Sequence, residues 1–199
     1  MTTLHQSVVT CQDGDVTFVF VSGNVALDFV GTLKWRRDVP EELLAAPEDA
    51  ARWAVEAGVL TAMPDIAPGE FERLRELRES VYRLVWETLD GRNWRTADVR
   101  TVNALADGPA PRFTLSADGL VRQGDAAAVA SVIARAAADL LARSGELSLK
   151  ECEREHCTRI FIDRSRTGNR RWCGMEECGN RIKAAHYRAR KSTTDAVVR

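Results

Sequence analysis

Four of the five cysteines fall close together near the C-terminus: Cys152, Cys157, Cys173 and Cys178. They form two C-x4-C pairs separated by fifteen residues. In a reducing compartment thiols stay reduced, so paired cysteines read as metal ligands before disulfides. Soft thiolates in two short-range pairs suit tetrahedral zinc. Four thiolates fill the coordination sphere and leave no position for water or substrate, which points to one structural Zn2+. His156, next to Cys157, is a spare ligand type, although four cysteines suffice. Cys11 lies far off in a polar stretch and reads as a bystander. The competing reading is four scattered buried or disulfide-linked cysteines.

Charge draws the same border. The net charge of −1 averages two unlike parts. Residues 1–149 hold 15 Lys/Arg against 22 Asp/Glu, a net −7, while residues 150–191 hold 12 against 6, a net +6. A basic end on an acidic body suggests a nucleic-acid or other acidic partner for that end. A solvated charged face is the plainer alternative.

The chain of 199 residues is long enough for one domain with a small appendage, and 45% apolar residues are enough for a core. No run of about 18 uncharged apolar residues exists, so no membrane span is expected. The N-terminal stretch MTTLHQSVVTCQDGD has no basic segment followed by an apolar one. No signal peptide is read there, and a cytoplasmic protein is expected.

Along the body, residues 16–22 (VTFVFVS) alternate and read as a strand. Ser22-Gly23-Asn24 is a turn that opens a helix over residues 25–35. Pro47-Glu48-Asp49 opens a second helix that stops at Gly58. Residues 69–90 repeat apolar side chains at helical spacing, from Phe71 through Leu74, Leu77, Val81 and Leu84. Thr96 caps a short helix to Leu105. Residues 112–123 read as a hairpin turning at Ala117-Asp118-Gly119. Asp125 caps a helix to about Arg143 whose apolar stripe must bury one face.

In the C-terminal module, Cys152–Cys157 reads as a turn presenting two sulfurs. Residues 159–163 (RIFID) read as a strand and residues 170–173 (RRWC) as its returning partner. A helix from Met175 to Lys191 carries Cys178 in its first turn. Its core would be Ile160, Phe161 or Ile162, Trp172, Ile182 and Tyr187, too little to fold without metal. The expected fold class is mainly α within α+β: a helical N-terminal domain with a small strand/hairpin element, then a treble-clef-like zinc-binding module. The expected boundaries are 1–148, 149–191 and a disordered tail over 192–199.

The run C-E-R-E-H-C, then R-I-F-I-D-R-S-R, then R-R-W-C-G-M-E-E-C-G-N-R-I-K-A is similar to the CGNR zinc finger, named for the tetrapeptide at Cys178-Gly179-Asn180-Arg181. The body segment Phe20-Val21-Ser22-Gly23-Asn24-Val25-Ala26-Leu27-Asp28-Phe29-Val30 resembles the ABATE domain, which accompanies that finger in stress-induced transcription regulators. Members read L-D-F-V-N-T where this chain has Gly31 before Thr32. The resemblance spans nearly the whole chain and implies a bacterial regulator that binds zinc and DNA.

The candidate DNA-contacting residues are Arg164, Arg166, Arg170 and Arg171 on the hairpin, with Arg181, Lys183, Arg188, Arg190 and Lys191 on the helix. An Arg-studded helix fits a major groove, and hairpin arginines suit phosphates. Asn180 and Arg181 can instead brace the metal knuckle, and Asp163 can pair with one of these cations. One module reads few bases, so a homodimer is expected. In the body, Asp28, Thr32, Trp35, Trp53 and Trp86 are candidate lining for a small-molecule effector pocket, against the plainer reading that Trp53 and Trp86 are core. No H-x-E element accompanies a P-C-x-x-C pair, and no H-E-x-x-H, G-x-S-x-G or P-loop pattern occurs, so an enzyme is not expected. The alternative class is a protein-interaction or redox-sensing module, because zinc-bound thiolates flanked by Arg are oxidisable.

Overall fold

The computed structural model describes Val9–Thr10 and residues 17–179. The described elements are β1 (Val9–Thr10), α1 (Val25–Val30), β2 (Leu33–Lys34), β3 (Glu41–Glu42), α2 (Pro47–Glu56), α3 (Pro68–Leu89), α4 (Thr96–Ala106), β4 (Arg112–Ser116), β5 (Gly119–Gln123), α5 (Ala126–Ala142), β6 (Leu149–Glu151) and β7 (Ile160–Ile162), then a π turn over Met175–Gly179. The fold is mixed α+β, as expected, with helices forming the body and short strand pairs attached. Among the described residues no helix is long and apolar enough to cross a membrane.

Local chemistry explains the helix starts. Asn24 accepts the Ala26 amide at 2.8 Å, and Asp125 accepts the Ala128 amide at 2.9 Å. α2 and α3 share another device. Each begins with an Ala-Pro step and an acid two residues after the proline, whose carboxylate turns back to the preceding amides. Asp49 takes Ala45 and Ala46, and Glu70 takes Ala67, all at 3.0 Å. α5 packs against α1, α3 and α4. Its stripe (Val129, Ile133, Ala137, Leu140) is fully buried among Leu27, Phe29, Trp53, Leu74, Leu77 and Val81.

Three expected elements differ. Residues 17–22 form no ladder; the Val19, Val21 and Ser22 carbonyls accept from Arg159, Arg170 and the Ile162 amide instead. The helix expected over 25–35 ends at Gly31, because Leu33–Lys34 pairs antiparallel with Glu41–Glu42. Thr96 is the first residue of α4 rather than its cap; the Arg95 amide is taken by Glu87 at 3.2 Å.

The early end of α1 has a cause the sequence did not display. Arg78 of α3 is 2% exposed and grips Glu42 of β3 with two bonds of 2.6 and 2.7 Å. It also reaches Thr32 Oγ1 at 3.2 Å and Glu79 at 2.8 Å. Arg36 in turn reaches Glu79 at 2.5 Å and stacks on Tyr82. A buried cation needs such a paired, hydrogen-bonded setting, and Thr32 and Glu42 supply it only if the chain leaves the helix there.

The module differs as well. β7 does not pair with residues 170–173. It pairs antiparallel with β6, just upstream of the first cysteine: Leu149 opposite Ile162 and Glu151 opposite Ile160. All three β7 residues are buried. Alternation along a strand sends Ile160 and Ile162 to one face and Phe161 to the other. Ile160 and Ile162 join the body core, while Phe161 packs with Cys152, Cys173 and Cys178. One strand is thus a wall shared by the body and the cysteine cluster.

Candidate metal centre

The chain that carries the cysteines turns sharply twice. Cys152 follows β6, and a tight turn with His156 in the left-handed region (φ 64) brings Cys157 beside it. After β7, Asp163 ties down the next loop. Its carboxylate accepts from the Ser165 and Arg170 amides, each at 2.9 Å, and from Lys150 Nζ at 2.7 Å. Lys150, the strongest of these partners, holds the Asp163 carboxyl well below the usual carboxylate range. That loop delivers Cys173, and the π turn over Met175–Gly179 delivers Cys178.

The four sulfurs lie within 4.8 Å of one another. Cys173 and Cys178 sulfurs are 3.5 Å apart, and Cys178 and Cys157 are 3.8 Å apart. These spacings are too long for disulfides. They suit a tetrahedron with Zn–S bonds of about 2.3 Å, whose edges are about 3.8 Å. Three of the four residues are buried and Cys157 is half-buried. Crowding argues for a cation too. Neighbouring sulfurs push the Cys173 and Cys157 thiols above the usual thiol range, while hydrogen bonds from Cys152 and its neighbours pull Cys178 down. Arg154 adds a donor to Cys178 Sγ at 3.7 Å. A divalent metal would replace the shared protons and hold all four as thiolates. His156 is no competitor, because it faces Asp38, with Nδ1 3.5 Å from the carboxylate.

The basic residues divide. Arg164 is exposed and donates to the Gly23 carbonyl at 3.0 Å. Arg166 is exposed and meets no hydrogen-bonding partner among the described residues. Arg171 is exposed, pairs with Glu153 at 2.6 Å and lies over the Trp172 ring. Arg170 is different. Its guanidinium donates to the Trp172 carbonyl at 2.8 Å, to Val21 at 2.9 Å and to Cys173, and it stacks on Phe161 at 4.3 Å. Its groups are committed to the fold. Asn180, Arg181, Ile182, Lys183, Tyr187, Arg188, Arg190 and Lys191, and the expected helix beyond Gly179, lie outside the described residues.

The five body residues named for an effector do not share one setting. Trp53 is 1% exposed and meets Phe29 edge-on at 4.7 Å, a core position. Thr32 belongs to the buried ion cluster. Asp28 accepts the Ser22 amide at 2.9 Å, and burial raises its carboxyl. Trp86 packs on the core rim under Arg92. Trp35, left-handed at φ 49, lines a cavity of about 210 Å3 with Lys34, Arg154, Thr158, Arg159 and Cys157.

Sequence reasoning missed Arg159. It is 8% exposed, donates to the Val19 carbonyl at 2.9 Å and lies against Gly31. A Cβ at position 31 would stand 2.7 Å from its Nη1, so the glycine makes room for it. The signal was present in the departure at Gly31, but only the fold shows what fills the space.

A family model described as "Putative stress-induced transcription regulator" (ABATE) matches residues 23–144. A second, the CGNR zinc finger, matches residues 148–191 and covers all four cysteines. A comparison with curated proteins gives no match.

Proposed function

The chain belongs to the ABATE family and carries a CGNR zinc finger, and from that premise we propose that it is a cytoplasmic transcription regulator that binds DNA through the finger. One structural Zn2+ held by Cys152, Cys157, Cys173 and Cys178 shapes the finger and takes no part in chemistry, in keeping with a regulator rather than an enzyme. The observation that carries the reading is the loop over residues 164–171, pinned to the metal site by Asp163 and Arg170, which presents Arg164, Arg166 and Arg171 to solvent. Exposed cations on an anchored loop suit phosphates. Arg181, Lys183, Arg188, Arg190 and Lys191 would add groove or phosphate contacts from the segment that follows.

The body is the proposed sensor. The cavity beside Trp35 supports this, because body residues and finger residues line it together. A small effector seated there touches both and biases their relative placement. Of the named body residues, Trp35 lines this cavity and Asp28, Thr32, Trp53 and Trp86 do not.

The test is DNA binding by the zinc-loaded protein as a function of salt. Neutralising about five phosphates gives a slope of log K against log salt near −4.5. Replacing Arg164, Arg166 and Arg171 together by Ala should flatten it by about 2.7, at ~0.9 per contact. A slope near zero for the wild-type protein, with zinc confirmed bound, would shift the reading to a protein-interaction or redox-sensing module.

A further inference from the structure

Among the described elements of the body, β4 and β5 are the most exposed. Every residue of β4 is exposed. Phe113, Leu115, Leu120 and Val121 are 62%, 82%, 40% and 39% exposed. The register sets Phe113 opposite Arg122 and Leu115 opposite Leu120, so Phe113, Leu115 and Leu120 share one face. A two-stranded hairpin with a bare apolar face is marginal in water, and three or more strands are the usual remedy.

The two edges differ. On β5, Thr61 donates its amide to the Arg122 carbonyl at 3.0 Å, and its hydroxyl accepts the Arg122 amide at 3.1 Å. Arg122 therefore turns its backbone groups away from β4. In an antiparallel pair its opposite number must do the same, so Phe113, and by alternation Leu115, point N–H and C=O outward from β4. No described residue takes them. The β5 edge is closed at Arg122 by Thr61, while among the described residues the β4 edge is open along its length.

We propose that the open edge pairs with the same edge of a second copy, forming a four-stranded sheet across a two-fold axis at Thr114. In that register Phe113 faces Leu115 of the second copy, and four backbone hydrogen bonds form. The aromatic–aliphatic pairs repeat across the axis, and the three apolar residues of each copy merge on one face. Neighbouring registers are worse. A shift one way sets Leu115 against Pro111, which has no N–H to give. A shift the other way sets Phe113 against Ala117 in the turn. No like charges oppose: Arg112 faces Ser116 and lies diagonally from Asp118. The contact covers roughly 400 Å2 per copy, about half of a standard interface, so the dimer is concentration-dependent. It rests on the hairpin alone and stands whether or not the finger binds DNA.

The experiment is sedimentation equilibrium of the full zinc-loaded chain up to roughly 300 µM. The expected result is a shift from 22.1 kDa to twice that mass. Leu115→Pro removes an outward N–H and leaves the hairpin's own bonds intact, so it should weaken dimerisation by at least about tenfold. Thr114→Cys should cross-link into a covalent dimer under mild oxidation, while Asn103→Cys on α4 should do no more than the wild type. Leu115→Lys gives a second reading if the proline variant loses zinc or helicity. A monomer throughout, a dimer untouched by either Leu115 variant, or Thr114→Cys linking no faster than Asn103→Cys overturns the proposal.

Discussion

Arg170 separates two accounts of the finger's cations. If it is a phosphate contact, Arg170→Ala leaves the fold alone and weakens DNA binding. The structure argues the opposite. Its guanidinium satisfies carbonyls of Val21, Trp172 and Cys173 and covers Phe161. A hydrogen bond with a charged partner contributes about 1.5–3 kcal/mol, but three on one half-buried group do not add, and water can replace some of them. A net loss of about 3 kcal/mol follows, which for a chain of this size lowers Tm by about 6–12 °C. Because one bond holds the Cys173 carbonyl, zinc affinity should fall about 10–100-fold. Calorimetry at fixed free zinc and a competitive zinc titration read both effects. Arg170→Lys should rescue neither, since an ammonium cannot span three carbonyls and stack. A Tm within about 2 °C of wild type, with zinc affinity unchanged and the DNA salt slope reduced by about 0.9, would refute this reasoning.

Arg78→Ala takes both short guanidinium bonds from buried Glu42 and leaves it Arg75 at 3.6 Å and the Leu44 amide at 2.9 Å, so it should cost about 3 kcal/mol in denaturant unfolding; a loss under about 1 kcal/mol would mean that Arg75 or water replaces the lost partner. Gly31→Ala forces Arg159 off the Val19 carbonyl, so a loss of about 1–3 kcal/mol is expected, recovered in part by pairing it with Arg159→Ala. Acid should destabilise the fold. Burial raises Glu79, but Arg36 and Arg78 outweigh it and hold the carboxyl low, while Arg83 holds Asp98 low. Both lowered carboxyls contribute stability that is present above about pH 4 and lost as pH falls through their folded values. Asp28 is shifted the other way by burial, so Asp28→Asn should leave Tm unchanged or raised.

Much of the fold was legible because its signals are local. The stripe of α5, the Pro47-Glu48-Asp49 start of α2, the apolar spacing of α3 and the turn at Ala117-Asp118-Gly119 each specify their element from neighbouring residues. The cysteine cluster was legible because metal-ligand spacing is itself short-range. What was hidden depends on contacts between distant segments. Residues 17–22 carry a strand pattern, yet their carbonyls go to arginines about 140 residues away. The pairing of β7 with β6 rather than with residues 170–173 follows from the body core, which draws Ile160 and Ile162 toward itself. Arg170 looked like its neighbours in the sequence, and only its surroundings set it apart.

That sharing of β7 has a thermodynamic consequence. A finger that folded by itself would need the metal for most of its stability, and its melting would be separate from that of the body. Here Ile160 and Ile162 belong to the body core, Phe161 to the metal cluster, and Arg159, Arg164 and Arg170 hold residues 19–23 from the finger side. Unfolding either part exposes a face of the other. The zinc-loaded chain should therefore melt in one transition with equal calorimetric and van't Hoff enthalpies. A chelator should lower that whole transition, because metal binding stabilises only the folded state. Two transitions, with the upper one insensitive to chelator, would mean that β7 is no mechanical link and that an effector in the body has no route to the finger through it.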